Sequence, residues 1–410
     1  MSTLAAPAPE PTSLRLRPFR AVRYDEGVVG DLSHLVAPPH DELSPAQTRV
    51  PGGYPHHIAH LLYTHDPQAA VGQLRDWLHR GVLRRDERPA VYVYQQQRGA
   101  RILQRGLIGE LVLPRDSSRR ERLLLPHEGV SPHVVRQRAA HMSGLRAQLE
   151  PLLLTYRSSE STAAQVVDHV TRRMPTVVVR IGEITHTLWA CSDDEEVALV
   201  SSGLSGSRAL IADGHHRHAA CLQLGEEPGS PWESSLALLV DTAVYPLRLS
   251  AIHRVMPELD PEKAALAAAD VARVQPLPEG PRLPRPDELV LAGAGQAWTV
   301  TDPEPGALHE ALTDRPLEWA PLPAAVSDHL LLDAVWSVPD LPGTVRYSHD
   351  ASRAVADVAA PGSGTALLLP AITEDQVREL AGAGVLLPRK STSFGPKPAA
   401  GLALRVLDLP

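Results

Sequence analysis

Apolar positions along this chain recur at two periods, 3.6 and 2, and the switches between them mark out its elements. Residues 69–80 carry Val71, Leu74, Trp77 and Leu78 at helical spacing, with Gly81 where a C-terminal cap belongs. Residues 90–94 and 101–113 are β-rich, and Arg98-Gly99 between them predicts an antiparallel hairpin. Residues 162–174 return to helical spacing with Val166, Val167 and Val170 on one side. Strands follow over 176–181 and 185–190 with Gly182 at the turn, then a short helix over 193–199. A third strand, Ala209-Leu210-Ile211-Ala212, stops at Asp213-Gly214 and passes at once into a helix starting near His216. Beyond it, 236–240 reads as a buried strand and 245–252 as another, closing at His253-Arg254. An Ala-rich helix is predicted over 261–274, a hairpin over 288–301, a helix over 327–336 and a final strand over 402–409. Thr373 opens one more helix, with Gln376 three residues on as its capping-box partner. No internal repeat is visible. The succession predicts an α+β protein: mixed sheets with flanking helices.

The non-periodic stretches divide the chain. Residues 1–15 read as a disordered leader and 16–275 as an α/β region carrying the Asp213 turn. The proline-rich 276–286 reads as a linker or loop, and 287–410 as a second α/β region. At 410 residues and 43% hydrophobic content the chain is long enough for two or more compact units. No apolar run approaches the roughly 18–20 residues of a membrane span. The leader lacks the basic start and long apolar core of a signal peptide. Two cysteines, Cys191 and Cys221, give no disulfide framework and point to a reducing compartment, so a cytoplasmic protein is expected. A net charge of −8 argues against nucleic acid as a partner but not against small anions.

The chemistry concentrates at Asp213-Gly214-His215-His216-Arg217. Glycine permits the backbone angles and close ligand approach such a turn needs. The first N–H groups of the following helix lack intrahelical partners and favour an anion. Arg217 adds a planar charged fork, and Asp213 is placed as a general base or metal ligand. Three readings stand here: a structural turn, a metal site that includes His215 and His218, and a nucleotide-phosphate cradle. The last is preferred, because no HExxH run or Cys-x-x-Cys pair supports a metal. Other candidates lie apart in sequence. Asp41 follows the rigid Pro38-Pro39 pair, and His127-Glu128 could polarise a hydroxyl. Arg136, Arg138 and Arg146 lie in a predicted helix, Arg138 and Arg146 about two turns apart and able to face an anion. His253 and Arg254 close a strand. Near the far end, Arg389-Lys390-Ser391-Thr392-Ser393-Phe394-Gly395-Pro396-Lys397 joins cations to hydroxyls, without the frame of a Walker A loop.

Residues 37–41 (Ala-Pro-Pro-His-Asp), Gly106-Leu107-Ile108, His127-Glu128, 211–217, His253-Arg254 and 388–397 resemble, in order and spacing, the successive motifs of the bacterial and archaeal domain of unknown function 1015 family, over nearly all of 16–408. Two departures are visible: His40 stands where a Tyr is usual, and Val130 where a Thr often follows the His-Glu pair. The Asp-Gly-His-His-Arg turn also resembles the phosphate loop of the ParB/sulfiredoxin-like superfamily, which includes kinases of free serine. That likeness implies a ParB/sulfiredoxin-like core elaborated by further α/β segments. It also implies an ATP-dependent kinase of a small hydroxyl compound, free L-serine first, with Mg²⁺ neutralising the phosphates. On this analogy Gly214, His215, His216 and Arg217 hold the nucleotide phosphates, with Lys390, Ser391 and Thr392 as further contacts. Asp213 or Glu128, beside His127, accepts the hydroxyl's proton. Arg138 holds the amino acid's carboxylate, and Asp41 its ammonium or the metal, with His253 and Arg254 at the substrate. The alternatives are a metal-dependent hydrolase using Asp213, His215, His218 and His127, and a non-enzymatic nucleotide-binding regulator.

Overall fold

A computed structural model describes residues 13–38, 53–64, 66–158, 162–341 and 343–407. His40, Asp41, His65 and residues 1–12 of the expected leader lie outside these. Leu14, also assigned to the leader, is 3% exposed and packs into the core, so the ordered chain starts before residue 16.

Two compact units divide the chain. The first holds residues 1–126, 130–247 and 396–410, and the second 127–129 and 248–395. The expected boundary at 276–286 is not where the units part. That segment lies within the second unit, a loop whose Leu277 N–H donates to Ala297 O and whose Arg282 pairs with Glu288. Proline content marks irregular backbone, and local pairing alone decides whether such backbone also separates domains.

The first unit is built on a mixed sheet of nine strands among the described residues. Its order runs Leu124–Leu125, Ala209–Asp213, Leu152–Tyr156, Ser234–Asp241, Arg101–Val112, Val91–Arg98, Ile184–Cys191, Val177–Ile181, with Leu16–Arg17 paired to Arg101–Val112. Ala209–Asp213 runs parallel to Leu124–Leu125, and Ser234–Asp241 parallel to Leu152–Tyr156; the other pairs are antiparallel. The hairpin at Arg98-Gly99 is present, with Arg98 opposite Arg101. Helices Pro132–Leu145, Thr162–Val170, Asp194–Gly203 and His215–Leu224 flank the sheet. Their apolar sides meet Leu152, Leu154, Ile211 and Leu239 in one core. The α+β class and the mixed sheet with flanking helices are as the periodicity predicts.

The second unit carries a six-stranded sheet among the described residues, every strand antiparallel to its neighbours (Arg273–Pro276, Gln296–Thr301, Leu289–Gly293, Thr365–Leu368, His253–Met256 and Arg346–Ser348), and a separate antiparallel pair, Arg248–Ala251 with Thr392–Gly395. Two expectations change here. The strand predicted over 245–252 is two strands, Arg248–Ala251 and His253–Met256, which pair with different partners, so His253 and Arg254 begin a strand instead of closing one. The Ala-rich helix stops at Ala268, because Arg273–Pro276 is drawn into pairing with Gln296–Thr301. Helix Glu374–Gly382 has the capping box that Thr373 and Gln376 predict. The turns of Val326–Val335, expected as an ordinary helix, are π-wound.

Candidate functional site

Strand Ala209–Asp213 delivers Asp213 to the sheet's end, and Gly214 turns the chain into helix His215–Leu224 with φ 95°. Gly214 is the N-cap of that helix and supplies no side-chain cap bond. A Cβ on residue 214 would stand 2.8 Å from Leu152 Cδ2 and 3.2 Å from Arg217 Cζ, so glycine is required twice over.

Asp213 sits between two cations. Its Oδ2 accepts from Arg217 Nη2 at 2.7 Å, and its Oδ1 meets Lys397 Nζ at 2.7 Å. Burial alone would raise the carboxyl's pKa; the charges of Lys397 and Arg217 override it and hold the group far below the usual carboxylate range. In the free protein Asp213 is therefore ionised at any working pH and a weak proton acceptor. Arg217 Nη1 also donates to the carbonyls of Glu150 (3.1 Å) and Pro151 (2.7 Å), with Glu150 Oε2 at 3.6 Å. Arg217, Glu150 and Arg138 line a cleft of about 30 Å³ together with His141, Gln148 and Ser235. That is room for about two waters, so no nucleoside fits inside it.

Lys397 reaches this place from the chain's far end, on a segment held by buried polar groups of the sheet. Gln96 Nε2 donates to Lys397 O at 2.7 Å, and Gln104 Nε2 to Pro396 O at 2.7 Å. The two amides are joined at 3.1 Å. Two residues on, Ala399 N–H donates to Tyr94 Oη at 3.1 Å, and that oxygen lies 2.8 Å from His186 Nδ1.

The histidines of the turn sit at and beneath the head of the helix. His216 Nε2 accepts from the Ser131 N–H at 3.1 Å, strapping the start of helix Pro132–Leu145 to the turn. His215 and His218 are buried, and burial, helped by Arg120, lowers the His218 pKa to about 4. Arg138 is half-buried on helix Pro132–Leu145, but Arg146 is not on its face: it is the left-handed C-cap, φ 50°. Among the described residues no three His, Cys, Asp or Glu side chains group as a metal-ligand set.

The remaining sequence-predicted residues belong to the second unit. His127 is buried, its Nε2 3.3 Å from Thr392 Oγ1 and its ring against Phe394; its carbonyl accepts from Leu387 N–H at 2.8 Å. Glu128 forms a parallel bridge with Leu387. Arg254 is fully buried and bonds Asp328 twice, at 2.8 and 2.7 Å, and also the carbonyls of Ile252 and, at 3.0 Å, Lys390. It anchors the Lys390 turn, where Lys390 takes φ 57°. Ser391 Oγ donates to Pro388 O. His253 is buried, with Nδ1 accepting from Leu369 N–H at 3.2 Å. Burial, then Arg254's charge, lowers its pKa to about 4. The structure thus brings together Asp213, Gly214, Arg217 and Lys397 in one unit, and His127, Thr392, Lys390 and Arg254 in the other.

Glu150, Gln96 and Gln104 carry no role in the sequence reading, and Lys397 enters it only as the last cation of the 389–397 segment. A signal for Lys397 existed. The chain has 3 lysines against 37 arginines, and two of the three are Lys390 and Lys397.

The family model described as "Protein of unknown function (DUF1015)" matches residues 16–322. The chain belongs to this family. No curated protein matches it. Among solved structures, a free serine kinase in complex with AMP is similar at 14% identity and TM-score 0.36, covering 69% of this chain and 89% of that one. A mutant free serine kinase in complex with ADP stands at 16% and 0.38, covering 69% and 90%. SbnI with C-terminal truncation from Staphylococcus aureus stands at 10% and 0.36, covering 67% and 80%. Overlaps of this size leave the DUF1015 member to be read from its own residues. Among the described residues no helix is long and apolar enough to cross a membrane.

Proposed function

We propose that this DUF1015 protein is an ATP-dependent phosphotransferase acting on a small hydroxyl compound, with free L-serine the first acceptor to test. One observation carries the reading: a carboxylate bracketed at 2.7 Å by Lys397 and at 2.7 Å by Arg217, at the head of helix His215–Leu224. Phosphoryl transfer asks a protein mainly for positioning and charge neutralisation, and this arrangement offers both. In the same reading the first unit is a ParB/sulfiredoxin-like core.

The residues present fit a nucleotide's phosphates. A helix N-terminus favours an anion and Lys397 offers a compact positive charge, while Arg217, tied to Asp213 and two carbonyls, keeps the carboxylate in place. They do not fit a protein-held Mg²⁺ in the same way. Among the described residues Asp213 and Glu150 are the carboxylates beside Arg217, and each already faces a cation. Any Mg²⁺ therefore enters with the phosphates, and no step here is routed through it. Asp213 is the proton acceptor for the substrate hydroxyl. Arg138, beside the cleft, takes the acceptor's carboxylate. Asp41 remains a substrate residue in this proposal, while Lys390, Ser391 and Thr392 belong to the second unit, where His253 and Arg254 are buried among protein partners. The metal-dependent hydrolase has no ligand set behind it among the described residues.

A thermal-shift screen with ATP, ADP, Mg²⁺ and amino acids tests the proposal. Donor at about 100 times its Kd adds roughly 2.7 kcal/mol, and ADP should form only with the acceptor present. Stabilisation without turnover under any acceptor would point to the nucleotide-binding regulator instead. No stabilisation by any nucleotide would end both readings.

A further inference from the structure

We propose that Lys397 is a shared cation, paired with Asp213 in the free protein and passed to the donor's terminal phosphate on binding, so that Asp213 becomes a competent base only when donor is present. The inference rests on the phosphotransferase reading and deepens it by naming how that site is regulated.

The two cations beside Asp213 are built for different tasks. Arg217 is fastened at three points, to Asp213 Oδ2 and to the carbonyls of Glu150 and Pro151. Main-chain carbonyls cannot titrate or swing away, so Arg217 stays. Lys397 is fixed at its backbone instead, through the buried amides of Gln96 and Gln104. Its charge sits at the end of a flexible four-carbon stem. Fixed origin with a movable head suits a group that changes partner. Composition agrees: in a chain with 37 arginines, this position keeps one of 3 lysines. A guanidinium would bind phosphate as well, but its fork grips a carboxylate in two places and releases it less readily.

The chemistry is then ordered. With Lys397 drawn to the phosphate, Asp213 loses one of the charges that hold its pKa down, and its proton affinity rises. The acceptor's O–H bond breaks, its proton passing to an Asp213 oxygen. The acceptor oxygen bonds the terminal phosphorus, and the bond from that phosphorus to the bridging oxygen breaks, releasing the nucleoside diphosphate. Until donor binds, the base is masked.

Competition between two anions for one ammonium gives an unusual expectation for binding. Removing the carboxylate in Asp213→Asn should tighten binding of a non-hydrolysable ATP analogue, measured by isothermal titration calorimetry at fixed salt, by about 5–10-fold, the lower range of a coupling between sites. In a Lys397→Met background the same substitution should leave the analogue's affinity unchanged, and Lys397→Met alone should weaken it at least about 10-fold. Circular dichroism melts of each variant, and the double variant, identify any that fail to fold. Weaker or equal binding of the ATP analogue by folded Asp213→Asn overturns the exchange. Wild-type protein that binds neither ADP nor ATP overturns the phosphotransferase reading itself, a separate result.

Discussion

Gly214 stands at φ 95° with Leu152 and Arg217 against the place where a Cβ would sit. Gly214→Ala therefore meets two costs, a left-handed backbone and a push on the guanidinium that fixes Asp213. A loss of about 1–3 kcal/mol is expected in urea unfolding. A change within 0.5 kcal/mol would mean the turn yields more easily than its contacts indicate. This residue was legible in the chain alone: a glycine between a strand-ending acid and a helix has few other reasons to be there. Its partner was not. Lys397 lies about 180 residues from Asp213 in sequence, and only the pairing of the tail with the sheet brings them together. Arg217 was legible as a cation, but its commitment to two carbonyls depends on where residues 150 and 151 fall.

Elements were readable where their signal is local. The hairpin at Arg98-Gly99, the capping box at Thr373 and the strand–turn–helix at Asp213 all rest on neighbouring residues. The misreadings came where a distant partner decides, as at Arg273–Pro276, whose strand depends on Gln296–Thr301. The π-wound segment Val326–Val335 is of the same kind. It presents Asp328 to Arg254, whose side chain is fully buried, and Arg254 in turn holds the Lys390 carbonyl. Breaking a buried pair by removing one partner strands the other charge. Asp328→Ala should accordingly cost about 3–5 kcal/mol by denaturant unfolding. Arg254→Met combined with Asp328→Leu should recover part of that loss. A cost below about 1 kcal/mol would show that Arg254 finds water or another acceptor.

For the molecule as a whole, buried histidines set a pH dependence. Burial lowers His186 to about 4, and does the same, with Arg120, for His218 and, with Arg254, for His253. In the unfolded chain each returns to about 6.5. Between these values the unfolded chain binds more protons than the folded one, so stability rises with pH. Their contribution is complete above about pH 6.5 and is lost as the pH falls through about 4. Calorimetric scans should show Tm dropping steadily from pH 7 to 5; a flat profile would mean these rings accept protons without opening the fold. Chain order adds a consequence of another kind. The first unit is left after Leu247 and rejoined only at Pro396, with the second unit's main stretch between. At about 5–20 residues per second, a ribosome finishes Lys397 roughly 10–40 s after Asp213. During that interval the nascent chain carries the acid and its arginine but not the ammonium. A message cut short anywhere in the second unit yields a product without that lysine, so completion of the site reports that translation has run nearly to its end.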